Sequence, residues 1–239
     1  MSFSSFAHRP VGIHGFSHYL ATSTSLLKYI NSNDQVIEEN FQNLLDLIQD
    51  EMIFEDQNKL KTFLYMILSI SNNHERIDNF FNKIEKLILI FDDIHIHFTD
   101  KDLFDMFINN KRLLLFLFKN RIITDITDEM KDSIINMNNN YNHYIEYFYP
   151  EINSSLNEIE ISEINRNFGQ NFKDSHDFEN KRLQGESSSE ICRLIREDNI
   201  GDFINYIQRE NLTLTFKLYP SIFETNQLLL DKQVSLIEY

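Results

Sequence analysis

The stretch ICRLIREDNIGDFINYIQRENLTLT, residues 191–215, decides the fold that the sequence predicts. Its apolar residues recur at three- and four-residue steps, which indicates two short amphipathic helices at 189–198 and 199–211. The connection between them, around Asp198–Gly201, is so short that the two helices are expected to form a tight antiparallel hairpin. LTLTF, residues 212–216, alternates apolar and polar residues and predicts an extended arm after the hairpin.

Helical periodicity also runs through the residues that precede this hairpin. Apolar residues recur there at helical spacing, with acids and amides between them. Thr99 with Asp102 resembles a capping box in its acidic form. Only 5 Gly and 3 Pro occur in 239 residues, too few for the tight turns of a β-sandwich or barrel. The predicted helices cover residues 34–48, 59–70, 77–91, 102–108, 111–118 and 128–147, the last interrupted or frayed at NMNNNYN.

The predicted fold class is therefore all-α, with an irregular helical bundle or stack followed by the hairpin. Pro150 is expected to close the bundle, because the segment after it is polar and carries Gly169 and Gly185. The predicted divisions are an N-terminal tail at 1–30, a helical domain at 31–150, a connector at 151–186, and the hairpin with the start of a following repeat at 187–239.

Composition and charge exclude several classes of protein. Hydrophobic residues make up 42% of the chain, which is not the composition of a disordered protein. The formal net charge is −15. Duplex DNA and anionic membranes repel such a surface, so no nucleic-acid or membrane partner is predicted. A protein partner, basic if the acidic surface takes part, is the expected one.

Cysteine usage and the apolar runs predict the compartment. Cys192 is the only cysteine, so an intrachain disulfide is impossible and a reducing compartment fits. The opening MSFSSFAHRPVGIHGFSHYL lacks the apolar core of a signal peptide. LILIF (87–91) and LLLFLF (113–118) are too short to span a bilayer. The predicted localisation is intracellular, either cytoplasmic or nuclear.

The hairpin with its arm resembles one ankyrin repeat, in the order inner helix, short turn with Gly–Asp, outer helix and arm. SLIEY, residues 235–239, resembles the T-P-L-H-x-A entry of a following repeat. The chain departs from that pattern because no Pro follows Ser235, no His is present, and residues 217–234 separate the arm from the entry. The hairpin is thus interpreted as a degenerate ankyrin-like repeat.

A wider resemblance covers most of residues 35–239. EMIFEDQNKLKTFLYMILSISNNHERIDNFFNKIEKLI, NKRLLLFLF, YFYPEI, the hairpin, and PSIFETNQLLL leading to SLIEY occur in that order. They resemble an uncharacterised helical domain of unknown function that precedes ankyrin repeats in expanded families of protist proteins. The resemblance implies a role in protein interaction and implies no catalytic residues.

These patterns predict a non-catalytic protein–protein interaction or scaffold module of the ankyrin-repeat type, without a cofactor. The chain is expected to be an N-terminal domain or a truncated paralogue, and an orphan fragment with no independent role is an alternative. Since the end of a repeat array exposes its apolar face, Leu236, Ile237 and Tyr239 are expected to tuck back or to form a sticky edge. The candidate interaction or stacking residues are Phe203, Tyr206, Phe216, Tyr219, Leu236, Ile237 and Tyr239.

A metal-dependent hydrolase is the alternative from another class. DDIHIHFTD, residues 92–100, combines Asp92, Asp93, His95, His97 and Asp100, which are ligand types for a divalent ion. In an extended segment His95 and His97 would share one side. The competing interpretation is a polar helix end and loop, with Ile94 and Ile96 packed inside.

Other chemistry-bearing residues carry weaker signals. His8, His14 and His18 are close in sequence, and only His14 and His18 have helical spacing, so a packed tail is favoured over a metal site. Cys192 has no neighbouring His base and is expected in the core. Ser187–Ser189 are interpreted as helix caps. The basic pairs Lys111–Arg112 and Lys181–Arg182 are too isolated to predict a localisation signal.

Overall fold

The protein is all-α in the parts of the chain that the structure describes. The structure is a computed structural model, and it describes residues 13–73, 79–91, 93–138, 143–168, 176–185, 189–218, 221–225 and 235–236. Within these ranges no strand forms, and the one β-type contact is an isolated antiparallel bridge between Lys217 and Ser235. The all-α prediction is therefore confirmed.

The helices follow one another through short connections. A 3₁₀ turn at Asn153–Ser155 follows the tenth of them. They are α1 (Ile13–Ile30), α2 (Ile37–Asp50), α3 (Gln57–Asn73), α4 (Phe80–Leu89), α5 (Ile94–His97), α6 (Asp100–Phe107), α7 (Lys111–Lys119), α8 (Asp128–Met137), α9 (Tyr144–Tyr147), α10 (Tyr149–Ile152), α11 (Glu158–Phe168), α12 (His176–Gln184), α13 (Glu190–Arg196) and α14 (Ile200–Arg209).

Side-chain caps explain where several of these helices begin. The Thr99 hydroxyl accepts a hydrogen bond from the Asp102 backbone N–H, and the Asp102 carboxylate accepts one from the Thr99 N–H. This is the capping box that the sequence predicts. Asn110 caps α7 in the same way, since its Oδ1 accepts from the Leu113 N–H at 2.9 Å.

The chain divides into two compact units. One holds the described residues within 1–67 and 77–84, and the other holds those within 68–76 and 85–239. Apolar stripes of the first four helices form the core of the first unit: Leu26, Tyr29, Ile30, Phe41, Leu44, Ile48, Leu60, Phe63, Leu64, Ile67, Phe80, Phe81 and Ile84 are buried.

Lys83 joins two helices of the first unit. Its buried Nζ donates to the carbonyl oxygens of Ile30 and Ser32, both at 2.7 Å. These carbonyls lie at the end of α1, where the helix has no further N–H groups to offer. A cation at the carboxyl end of a helix also complements the helix dipole. Lys83 therefore stabilises the end of α1.

Helix α7 lies at the centre of the second unit. Every residue from Lys111 to Leu117 is buried, so all faces of the helix are covered. It packs against α6 and α12. Burial on every side explains why LLLFLF shows a continuous apolar run instead of an amphipathic stripe.

The structure corrects several predicted boundaries. Residues 13–30 are not a tail, because α1 packs against α2. The division between the units does not fall at 151–186, and this predicted connector supplies α11, α12 and the fully buried Arg182 to the second unit. Pro150 does not close a domain but lies in the first turn of α10, where its missing N–H costs nothing.

Residues 128–147 form two helices, α8 and α9, which agrees with the predicted interruption at the polar stretch. Two other local predictions need correction. Helix α3 continues through SNN to Asn73 and does not break at residue 71. The arm at 212–216 is not fully extended, since the Phe216 N–H donates to the Thr213 carbonyl at 2.9 Å and closes a turn.

Candidate functional site

The hairpin that the sequence predicts is formed by α13 and α14. Ser189 Oγ accepts from the Cys192 N–H at 3.3 Å and caps α13. Asn199 Oδ1 accepts from the Asp202 N–H at 3.2 Å and caps α14. Asp198 adopts the left-handed conformation (φ 49°) between them, and this allows the chain to reverse direction.

A small core holds the hairpin and its arm together. Ile191, Cys192, Leu218 and Leu236 are buried in it, and Phe203 packs against it while staying half-buried. The Leu236 N–H donates to the Phe216 carbonyl at 3.0 Å, next to the Lys217–Ser235 bridge. Residues 235–236 are therefore attached to the arm by backbone contacts as well as by side-chain burial.

Helix α14 is apolar on one face but buries no residue completely. Ile200, Phe203, Ile204 and Ile207 occupy positions i, i+3, i+4 and i+7, which share a helix face. The inner part of this face meets the core, whereas Ile200 remains 63% exposed and Ile204 45% exposed. We call Ile200 and Ile204 the open edge of α14. An apolar edge of this kind is a feature of a surface that another element can cover.

Charge on the hairpin is almost balanced. Residues 189–218 contain four basic and five acidic residues, which gives a net charge of −1 out of −15 for the whole chain. Arg193 pairs with Glu190 at 2.8 Å and also with Glu197 along the exposed side of α13. The open edge is thus apolar, and the residues around it are nearly neutral in total. The charge of the hairpin therefore does not favour a basic partner.

The residues predicted to form an interaction surface differ in how far they are buried. Phe203 and Tyr206 are half-buried against the hairpin core, and Phe216 is exposed on the arm. Leu236 is only 5% exposed and tucks back against the hairpin core, which is the first of the two alternatives expected for it. Tyr219, Ile237 and Tyr239 lie outside the described residues. Ile200 and Ile204 were missed, although their helical spacing from Phe203 could have indicated them.

The His and Asp residues of 93–100 do not meet around one point. Residues 94–97 form a turn of helix, so His95 and His97 point in different directions instead of sharing a side. Ile94 is buried as expected, but Ile96 is 75% exposed. His95 approaches Asp100, with Nδ1 3.6 Å from Oδ1. Asp92 lies outside the described residues, and within them no three His, Cys, Asp or Glu side chains form a metal-binding group.

The carboxylate of Asp100 is engaged by the backbone. Its Oδ2 accepts from the N–H and Oγ1 of Thr124, at 2.8 and 2.9 Å, and from the N–H of Asp125 at 3.1 Å. Burial raises the pKa of Asp100, but the hydrogen bonds from Asp125 and Thr124 outweigh it and leave the pKa below its usual value. Asp100 therefore fixes the loop at Thr124, a structural role.

We expect Zn²⁺ and Mn²⁺ to show no saturable binding at this segment below millimolar concentration. The reason is that Asp100 is already hydrogen-bonded and His95 and His97 diverge. Isothermal titration calorimetry of the whole chain, with a His95→Ala/His97→Ala variant as control, measures this. Stoichiometric heat that the variant loses would contradict the expectation and restore the hydrolase alternative.

The structure describes some of the remaining cysteine, serine and histidine candidates and not others. Cys192 is buried in the hairpin core, as the sequence predicts. Ser189 is a helix cap, whereas Ser187 and Ser188 lie outside the described residues. His14 and His18 lie in α1, but their side chains are outside the description, as is His8.

Sequence reasoning also did not predict the burial of three basic residues of the second unit. Lys111, Arg112 and Arg182 are all buried in the second unit. The Arg112 side chain pairs with Glu85 and donates from Nε to the Leu183 carbonyl. Helices α7 and α12 are in contact, and Arg182 is buried in the same unit as Lys111 and Arg112, whereas Lys181 stays partly exposed. In the sequence, the Lys–Arg pair directly before an unbroken apolar run could have indicated that Lys111 and Arg112 are buried.

Arg182 is held by two carboxylates and two aromatic rings. Its Nη2 donates to Glu151 at 2.6 Å and its Nη1 to Glu179 at 2.7 Å. The guanidinium lies 5.4 Å from the ring centroids of both Tyr147 and Phe178. Burial disfavours its charge, but Glu151 and Glu179 outweigh burial and raise its pKa. These contacts fasten α12 to the rest of the second unit.

Lys111 is also deeply buried. Its Nζ donates to the Ile222 carbonyl at 3.0 Å and lies 5.1 Å from the centroid of the Tyr147 ring. Burial lowers the pKa of Lys111 to about 7, although Glu224 and Glu146 act in the opposite direction. Through Ile222, Lys111 ties residues 221–225 to α7.

Comparison with known proteins adds no identification: no protein-family model, no curated protein and no solved structure matches this chain. The likeness to the helical domain that precedes ankyrin repeats thus rests on the quoted motifs alone. In the parts of the chain that the structure covers, every helix is too short or too polar to cross a bilayer.

Proposed function

We propose that the chain is a non-catalytic protein-interaction or scaffold module of the ankyrin-repeat type, and that the open edge of α14 stacks against a further helical hairpin. The observation that carries this is the exposure of Ile200 and Ile204 on a helix that buries none of its residues completely. In stacked helical repeats each unit leaves an apolar face that only the next unit covers.

The arm supports the same proposal. Its Lys217 forms an antiparallel bridge with Ser235, and the Leu236 N–H bonds to the Phe216 carbonyl. A β-type turn that joins successive helix pairs is part of the ankyrin unit. The near-neutral charge of residues 189–218 suits stacking between like units, which would repel each other if each carried a large net charge.

The class of partner follows from charge and surface. A protein partner is proposed because the open edge is apolar and the chain carries a net charge of −15, which disfavours nucleic acid and anionic membranes. We propose an intracellular site of action, cytoplasmic or nuclear. A basic partner would have to bind outside the hairpin, where the acidic residues are concentrated.

The open edge can be tested through self-association. We expect the whole chain to associate reversibly at high concentration, because two uncovered α14 edges can bury each other's isoleucines. In Ile200→Lys/Ile204→Lys this association should weaken by about tenfold or more, since charged side chains would have to be desolvated in the contact. Sedimentation velocity over a range of concentrations measures both.

A matched control uses exposed isoleucines elsewhere in the chain. Ile96 is 75% exposed and Ile159 72% exposed, and neither belongs to the hairpin. Ile96→Lys/Ile159→Lys adds the same charge and should leave the association unchanged. A wild-type chain that stays monomeric at every concentration, or equal weakening by both double variants, would count against the open edge as a stacking surface.

A further inference from the structure

Helices α1 and α2 of the first unit border an open groove with mostly apolar walls. Its volume is about 510 Å³, and Leu20, Ala21, Thr24, Lys28, Asn40 and Asn43 are among its lining residues. Leu20 is 59% exposed, and Leu27, two turns further along α1, is exposed as well. Large apolar side chains on the outer face of a helix are costly in water unless something covers them.

Acidic side chains run along α2 beside this groove. Glu39, Asn43, Asp46 and Asp50 are spaced by four, three and four residues, so they form one exposed column, and Asn43 lines the groove. No lysine or arginine in the described ranges pairs with Glu39, Asp46 or Asp50. Asp46 instead accepts a hydrogen bond from Gln42 at 2.8 Å. The three carboxylates of the column are thus exposed to solvent.

The acidity is concentrated in this part of the sequence. Residues 29–58 contain eight Asp and Glu and no Lys, Arg or His, which gives −8 of the net charge of −15. The hairpin contributes only −1 in comparison. A run of carboxylates this dense creates a negative potential that attracts cationic groups over about 10 Å at ordinary ionic strength.

We propose that the α1–α2 groove binds a basic amphipathic helix of a partner protein. Its apolar side chains would cover Leu20 and Ala21 in the groove, and its lysines or arginines would pair with Glu39, Asp46 and Asp50. Helix-in-groove docking requires an apolar surface and a rim of complementary charge, and both are present here. This surface belongs to the first unit, and it goes beyond the stacking edge proposed for α14.

Lys28 determines which side of the groove can bind basic side chains of the partner helix. It is the one basic residue among the lining side chains that the structure describes, and it lies near the end of α1. A partner lysine next to Lys28 would be repelled, so the basic side chains of the bound helix belong on the α2 side. A carboxylate of the partner would fit beside Lys28.

Fluorescence anisotropy with a labelled amphipathic Leu/Lys helix of about 18 residues tests this proposal on the whole chain. Saturable binding is expected, and it should be at least about tenfold tighter than for a peptide of the same composition in scrambled order. Glu39→Gln/Asp46→Asn/Asp50→Asn should weaken binding by about tenfold at about 50 mM salt and by less at about 500 mM. The matched control, Asp125→Asn/Asp132→Asn/Asp198→Asn, removes three exposed acids elsewhere and should have little effect.

Leu20→Asp separates groove docking from simple attraction of charge. The substitution adds a negative charge, so attraction alone would make a cationic helix bind more tightly. Docking in the groove instead predicts binding weaker by about tenfold, because the apolar floor is lost. Circular dichroism of Leu20→Asp should match that of the wild type, because the replaced side chain is exposed. Tighter or unchanged binding by Leu20→Asp, equal binding of the scrambled peptide, or no saturable binding would overturn the proposal.

Discussion

Replacement of Arg182 by methionine is expected to lower the free energy of unfolding by about 3–5 kcal/mol. Arg182 is fully buried and donates to Glu151 and Glu179. Methionine fills most of its space, but it leaves the carboxylate of Glu151 desolvated without its cation. Burial already raises the pKa of Glu151 above its usual value despite Arg182. Urea denaturation followed by circular dichroism measures the loss.

The neighbouring residue supplies the control. Lys181 is partly exposed and pairs with Asp177 one turn away, at 2.6 Å. Lys181→Met should therefore cost no more than about 1 kcal/mol. Arg182→Met/Glu151→Gln should recover part of the loss, because the uncompensated charge is then gone. Equal costs for Arg182→Met and Lys181→Met would show that the buried contacts of Arg182 do not stabilise the second unit.

The free energy of unfolding should rise by about 4 kcal/mol from pH 7 to pH 10, because of Lys111. Its pKa is about 7 in the folded chain and 10.5 when unfolded. Between these values the unfolded state binds the proton and the folded state does not, so stability increases with pH. Well below pH 7 Lys111 is protonated in both states, so it no longer makes the free energy of unfolding depend on pH. Urea denaturation at several pH values gives the slope.

Lys111→Met identifies the source of this slope. Without the titrating amine, the rise between pH 7 and pH 10 should largely disappear. Glu146 and Glu224 act on Lys111, and Tyr144 and Tyr147 lie below its Nζ. Burial raises the pKa of both tyrosines, so they stay protonated in the folded chain and destabilise it only above about pH 10. A wild-type curve that is flat or falls from pH 7 to pH 10 would refute the role of Lys111.

Local features of the fold could be predicted because they depend on neighbouring residues. The Thr99–Asp102 capping box and the two helices of the hairpin follow from side chains three or four positions apart. The burial of Cys192 follows from its place between Ile191 and Leu194. Helix periodicity in α2, α3 and α4 likewise placed most of the residues that form the core of the first unit.

Other features could not be predicted because they depend on distant partners. The polar helix α12 resembled a connector, since its own residues give no sign that Glu151 and Tyr147 surround Arg182. The open edge of α14 exists because the hairpin core covers only part of the apolar face of α14. Helical periodicity shows that this face is apolar but not how much of it is buried. The sequence left residues 93–97 open between an extended segment and a helix end, and the structure forms a helical turn in which Ile94 is buried and Ile96 is not.

The sequence by itself determined that this protein is all-α, that 189–211 forms a hairpin, and where the negative charge is concentrated. Periodicity, capping and composition are properties of residues close in the chain, so they need no tertiary information. Only the tertiary structure decided that Lys111, Arg112 and Arg182 are buried and that Leu236 is covered while Ile200 is not. Burial of a charge is possible only where partners converge from distant segments, and a linear pattern cannot specify that convergence.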